Sequence, residues 1–328
     1  KDWALQRTLL EICLFPEPNG HLPSRIEQPL ANLEKEPLDA ILRISTRLEE
    51  LAIVGAVEDV SWLSFHTHPT TQRKYPSPMD HGLYSGIAGI GLFYLSLFKV
   101  SGKPHFLSRM DQVLDSLEQR FGFFKTDLTV SAYHGLGAYL YLLINRRQIT
   151  GDARHDEKIA GLLTQLIEVP PEDYDFDFLG GCCGAVTLLA NIHALSAQED
   201  VRPAIQRMVE YIKSQILIED SQLLRRDERS VILTGLSHGL SGVIHALCKA
   251  YEVTGDVTLV PLAVQVLEGE NRLSRDGFWL DLRNLGPLDH ASKWCHGDGG
   301  ILIARRQLME SMGDALDEAT RQTVLDDI

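Results

Sequence analysis

Ser237-His238-Gly239-Leu240-Ser241-Gly242 leads directly into the apolar run VIHALCKAY, and this turn-then-helix stretch decides the fold. The pattern recurs four more times. Gly86-Ile87-Ala88-Gly89 opens IGLFYLSLF, and His134-Gly135-Leu136-Gly137 opens AYLYLLI. Gly181-Cys182-Cys183-Gly184 opens AVTLLANIHAL, and Gly297-Asp298-Gly299-Gly300 opens ILIARRQL. The second turn is shifted: Gly137 aligns, while His134 takes the place of the first glycine. The anchoring glycines 89, 137, 184, 242 and 300 are 48, 47, 58 and 58 residues apart. Self-similarity at a nearly fixed period of this size marks a repeat architecture.

Three runs also end alike. Gly102, Gly151 and Gly255 follow their anchors by 13, 14 and 13 residues. A glycine there reads as the left-handed cap that closes a helix. Each run is therefore expected to be a helix of about three to four turns, roughly 20 Å long. These helices are apolar on most faces and so belong inside. Between them lie segments with one apolar stripe: Phe106, Leu107, Met110, Val113, Leu114, Leu117, and again Ile205, Met208, Val209, Ile212, Ile216. Their i, i+3, i+4 spacing predicts amphipathic outer helices. Buried and amphipathic helices alternating at a fixed period build two concentric layers. The fold expected is all-α: an α/α toroid with five inner helices whose glycine-rich turns ring one central funnel. The alternative on pattern alone is an ordinary α-solenoid. Nothing reads as an extended β-sheet, and the polar stretch from Thr67 to Asp80, punctuated by prolines, reads as a loop.

Residues 1–35 are irregular and read as a linker or the tail of a preceding domain; 36–328 reads as one repeat domain, with its first outer helix spanning Leu42 to Leu51. The start at Lys1, without Met or a charged-then-apolar leader, suggests an excised piece and no signal peptide. A net charge of −14 argues against a nucleic-acid or anionic-membrane surface. No apolar run reaches the roughly 18 residues of a membrane span. Five irregularly spaced cysteines, at 13, 182, 183, 248 and 295, do not form a disulfide framework and suggest reduced, cytoplasmic thiols.

Helix N-termini present free N–H groups and a partial positive end, which favours anions, thiolates included. The polar residues at the turns are therefore the ones to weigh. Cys295, in Trp294-Cys295-His296-Gly297, is well placed to hold a metal as its thiolate; by itself it also fits a small buried hydrophobe. His238 opens the fourth inner helix. The helix dipole is expected to lower its pKa, leaving an imidazole that exchanges protons near neutrality, or simply one bonded to backbone. Asp177 precedes the third inner helix and reads first as a cap. Asp173 and Asp175 alternate with it and read as pointing elsewhere. Cys182 and Cys183 read as small residues at a close-packed turn. His81, His134, His245 and Cys248 have plain packing readings. A carbohydrate enzyme on a similar barrel would need paired carboxylates, and the turns offer clearly only Asp177 and Asp298.

Together, Leu83-Tyr84-Ser85-Gly86-Ile87-Ala88-Gly89, Ser237-His238-Gly239-Leu240-Ser241-Gly242 and Trp294-Cys295-His296-Gly297 resemble the LanC-like cyclases. They are most similar to the cyclase domain of bifunctional class II lanthipeptide synthetases. The resemblance runs from about Asp59 to the C-terminal end. It implies an α/α toroid with seven inner and seven outer helices, five inner ones being visible here. It implies one zinc ion, with Cys295 as a ligand and two further ligands from a later Cys-His-Gly or Cys-Cys-Gly turn, expected beyond Ile328. It implies a bacterial enzyme acting on a dehydrated precursor peptide, with a dehydratase domain in the same polypeptide. The reaction implied is addition of a peptide cysteine to dehydroalanine or dehydrobutyrine, closing a thioether ring. His238 would transfer the proton and Asp177 would orient it; His296 and Lys293 would contact the substrate. Some members carry Arg four residues before the zinc cysteine, where this chain has Ala291. A non-catalytic toroid that binds a peptide or protein is the competing reading.

Overall fold

The computed structural model describes residues 35–56, 59–67, 71, 73–123, 130–170, 175–195, 200–219, 222–226, 232–275, 277–280, 282–283 and 293–328. The expected linker over 1–35 lies almost wholly outside them, as does Asp173. The chain divides into two compact units, residues 1–79 with 90–116, and residues 80–89 with 117–328.

The first unit contains helix α1 (Lys35–Leu51), seven residues longer at its start than the expected 42–51 segment. Two antiparallel hairpins follow: β1 (Ile53–Val54) with β2 (Val60–Ser61), and β3 (Leu63–Thr67) with β4 (Lys74–Pro78). Strand β4 corrects the loop expected over 67–80. A two-stranded hairpin is all edge, and Pro76 and Pro78, two residues apart, can both turn their nitrogens away from β3. Most of α2 (Ile87–Ser101) and the first part of α3 (Pro104–Phe123) belong to this unit. Of the predicted stripe, Phe106, Met110, Val113 and Leu114 are buried and Leu107 is half-buried; Tyr94 of α2 is buried as well. Ser116 Oγ ties in β2, donating to Val60 O at 2.7 Å and accepting from Val60 N at 2.8 Å.

In the second unit the repeat is explicit. Inner helices α4 (Gly135–Thr150), α6 (Cys182–Leu195), α8 (Leu240–Thr254) and α10 (Asp298–Met312) pack in sequence, each on the next. Outer helices α5 (Asp156–Glu168), α7 (Arg202–Gln215), α9 (Leu259–Asn271) and α11 (Glu318–Asp327) each pack on the inner helix before them. The stripe on α7 is buried as predicted, Ile205, Met208, Val209 and Ile212 included. The closing glycines behave as expected: Gly102, Gly151 and Gly255 have φ of 66°, 71° and 65°. Their N–H groups donate to the carbonyls of Phe98, Arg147 and Tyr251, four residues back.

Two hairpins were not expected: β5 (Ile216–Glu219) with β6 (Gln222–Arg225), and β7 (Ser274–Arg275) with β8 (Phe278–Trp279). They explain the uneven period. Each stands between an outer helix and the next turn in the two 58-residue repeats. The 48- and 47-residue repeats have none among the described residues. Strands of two to four residues are too short to carry a readable alternation.

The anchoring glycines share one cause. At Gly89, Gly137, Gly184, Gly242 and Gly300 an added β-carbon would collide with the carbonyl oxygen six residues earlier. The turn folds back over the third helical residue so tightly that no side chain fits. This common geometry also confirms the shifted alignment of the second turn.

Candidate functional site

Backbone bonds stitch the turns together in order. Leu83 N donates to Tyr133 O at 2.7 Å, and Ser131 Oγ to Leu179 O at 2.8 Å. Phe178 N and Leu179 N both donate to Ser237 O, at 3.1 and 3.0 Å, and Ser237 N donates to Cys295 O at 3.1 Å. Successive turns thus stand in register. Helices α4, α8 and α10 have no side-chain cap of their own.

That register brings His238 and Asp177 together, though 61 residues separate them. Asp177 Oδ2 lies 2.5 Å from His238 Nδ1, and Asp177 Oδ1 accepts from Gly180 N at 2.5 Å. Gly180 N precedes α6, so Asp177 braces the turn rather than capping the helix, and it is the partner of a histidine. An ionised carboxylate can only accept, so Nδ1 of His238 carries the proton and Nε2 is the nitrogen left for chemistry. The expected direction of the His238 pKa is reversed. The hydrogen bond to Asp177 raises it, burial and the nearby Arg283 pull the other way, and the sum is upward. A carboxylate in contact outweighs a helix end, which acts only through partial charge. Asp175 turns its carboxylate to Phe176 N, at 2.7 Å, in keeping with its expected outward role.

His296 stands beside His238. It occupies the same position one turn later, and the two rings stack with centroids 5.4 Å apart and planes 22° from parallel. Cys295, next to it, is half-buried, and its thiol takes a hydrogen bond from the Tyr84 phenol. Burial, and then the Cys295 sulfur, raise the Tyr84 pKa. The Tyr84 ring meets Trp294 edge-on at 5.6 Å. The fifth turn is therefore held on one side by the fourth and on another by Tyr84 of the first. Lys293 is exposed and stands seven residues before its anchor, the position Asp177 holds in its own turn; it makes no hydrogen bond or ion pair among the described residues. Ala291 lies outside the described residues.

The remaining expected residues are structural. Cys182, Cys183 and Cys248 are fully buried. Burial, with Cys182 beside it, drives the Cys183 thiol well above its ordinary range. His245 shares a hydrogen bond with Thr187 at 3.2 Å and meets Phe178 edge-on. Two site residues went unread in the sequence. Tyr84 lay within a quoted motif, but nothing local pairs it with Cys295. Arg283, whose charge acts on both His238 and Tyr84, lies in a segment with no repeat signal.

Among the described residues no three His, Cys, Asp or Glu side chains form a group that could hold a metal ion. Cys295 is the one soft donor at the site, and His296 is engaged with His238. The described residues thus do not by themselves complete the tetrahedral shell zinc requires. No helix among them is long and apolar enough to cross a membrane.

Comparison with known proteins bears on the family and the fold. The chain is 23% identical over 288 residues to the lacticin 481/lactococcin biosynthesis protein LcnDR2 of Lactococcus lactis subsp. lactis, covering 84% of this chain and 28% of that protein. It is 26% identical over 271 residues to the glutathione S-transferase LANCL1 of Danio rerio, covering 73% of this chain and 61% of that protein. The chain thus spans less than two thirds of either relative. Among solved structures it matches nisin cyclase with a TM-score of 0.59 at 16% identity, over 90% of this chain and 74% of that one. That likeness shows the fold, an all-α α/α toroid. The family model "Lanthionine synthetase C-like protein" matches residues 77–327, most of the chain, and the chain belongs to that family.

Proposed function

We propose that this chain carries the ring-closing site of a lanthipeptide synthetase. The observation that supports it most is the Asp177–His238 pair, stacked on His296 and one turn from Cys295. The substrate is a precursor peptide whose Ser and Thr have been dehydrated, so a dehydratase must supply it; we place that activity in the same polypeptide. A peptide cysteine gives its proton to Nε2 of His238, and its sulfur attacks the β-carbon of dehydroalanine or dehydrobutyrine. The C–S bond forms as the C=C electrons move onto the α-carbon and its carbonyl. His238 then protonates the α-carbon through Nε2, while Asp177 holds Nδ1 and stabilises the imidazolium. The S–H bond has added across C=C, with no net gain or loss of protons. His296, stacked beside the acid, and Lys293 contact the peptide. A zinc ion, if bound, would keep the attacking thiol as its thiolate near neutral pH. Cys295 would be one ligand, and the others would have to come from outside the described residues. The free thiols and the chemistry fit a reducing, cytoplasmic setting.

The test is incubation of the full-length protein with dehydrated precursor, followed by alkylation of remaining thiols and mass spectrometry. Loss of alkylatable cysteines without a change in peptide mass is the expected result. His238→Ala should retain them. The competing reading is a non-catalytic toroid that binds the peptide; unchanged thiols with intact peptide binding would support it. Addition of glutathione to the dehydrated residue would instead point to a small-thiol transferase.

A further inference from the structure

Helix α8 carries His238 just before its start, yet its N-cap is Gly239, which has no side chain to cap it. In the first turn an acid of the turn itself braces the loop ahead of the helix: Asp80 accepts from Gly82 N at 2.7 Å and from Ser85 Oγ at 2.7 Å. The third uses Asp177 on Gly180 N. The fourth turn has no acid of its own. Its donors are taken by Glu270, near the end of outer helix α9, whose side chain is 0% exposed. Glu270 Oε1 accepts from Gly235 N at 3.0 Å and Ser241 N at 3.1 Å, and the Ser241 hydroxyl lies 2.9 and 2.7 Å from its two oxygens. These contacts clasp both ends of the segment that contains His238.

The other face of Glu270 meets the next inner helix. Oε2 accepts from Arg305 Nη1 at 2.9 Å, and Arg305 is also 0% exposed. Arg305 is held in turn by Asn271 Oδ1 at 2.8 Å and Asp327 Oδ2 at 3.0 Å, with its guanidinium over the Trp279 ring. Arg305 rises from α10, the helix that Cys295 and His296 precede. Gly235, with φ of 93°, packs against the Cys295 carbonyl and His296 Cα. The buried pair thus joins the turn of His238 to the helix that follows Cys295 and His296. A buried ion pair adds little net stability over apolar packing, so stability alone does not account for one here.

We propose that Glu270, braced by Arg305, is the positioning residue that sets His238 against Asp177 and His296. The proposal rests on the ring-closing reading for its kinetic arm and on geometry alone for its spectroscopic arm.

Two variants of the full-length protein test it. Glu270→Gln puts an amide N–H₂ against either Arg305 or the turn donors, so one side of the clasp opens. The double variant Glu270→Met with Arg305→Met replaces the pair by apolar groups, a change that folded proteins tolerate. In each folded variant kcat for ring closure should fall by about 10²-fold with KM little changed, the loss that misplacing a catalytic group by about 1 Å produces. The downfield Nδ1–H proton resonance of His238, identified by its loss in Asp177→Asn, should disappear as well. A folded variant that keeps both the resonance and wild-type kcat overturns the proposal. If the wild-type protein closes no rings, the cyclase reading falls, and the resonance still decides whether Glu270 positions His238.

Discussion

His238 and His296 stand four residues before Gly242 and Gly300, and the repeat that places them in register also stacks their rings, 5.4 Å apart. Asp177 Oδ2 lies on the His238 ring. Asp177 comes from the turn before, and the corresponding residue in the turn before His296 is Gly235. That carboxylate is why His238 is the proposed proton-transfer residue and His296 its neighbour.

Asp177→Asn should leave the fold intact, because the amide oxygen can still accept from Gly180 N. It should lower kcat for ring closure by about 10²-fold or more, the usual contribution of oriented acid–base catalysis. His238→Ala should lose at least as much. Thiol counting over time in both variants checks this, and a D177N rate equal to wild type would remove Asp177 from the site.

The raised His238 pKa gives a signed pH dependence. A histidine whose folded pKa lies above its unfolded value of 6.5 adds stability that is fully present below that value and lost as pH rises through the folded one. With 38% of the side chain exposed, solvent screens the effect, so it should be small. The Tm difference between wild type and His238→Gln should be larger at pH 5.5 than at pH 9. The reverse order would mean that the helix end dominates after all.

Two kinds of glycine should respond differently to alanine. Gly255→Ala meets open space and pays only for a left-handed backbone, about 1–2 kcal/mol. Gly242→Ala meets the Leu236 carbonyl and the Phe178 side chain, so the turn itself must move. It should cost more than Gly255→Ala and should disturb His238. Urea denaturation of the two variants, with activity measured alongside, tests the contrast.

Among the described cysteines Cys295 alone is not fully buried. Iodoacetamide should modify it first in the native protein, while Cys182, Cys183 and Cys248 react only on unfolding. Burial raises the Cys183 and Cys248 thiols and reinforces the order. Peptide mapping after timed labelling reads it directly. Cys295→Ala should also remove whatever zinc the full-length protein holds, measured as metal content.

Much of the architecture was legible because it repeats. Five glycine turns, the buried runs behind them and the closing glycines each state a backbone requirement that few residues meet. The hairpins were not legible: β7 and β8 are two residues each, shorter than any periodicity. The site was legible as a set of residues but not as pairs. Asp177 read as a cap, but one oxygen holds Gly180 N, ahead of the helix, and the partner of the other lies 61 residues away. Tyr84 read as part of a motif, and only the fold sets it against Cys295.

By itself, then, the sequence determined the helical repeat, the glycine anchors and the turns where polar residues gather, because local backbone geometry restricts which residues can occupy those places. The tertiary structure alone decided which turn residues touch and which way the His238 proton is biased. Those depend on how neighbouring turns align through backbone bonds, and on a carboxylate in contact being stronger than the helix end that the sequence could show.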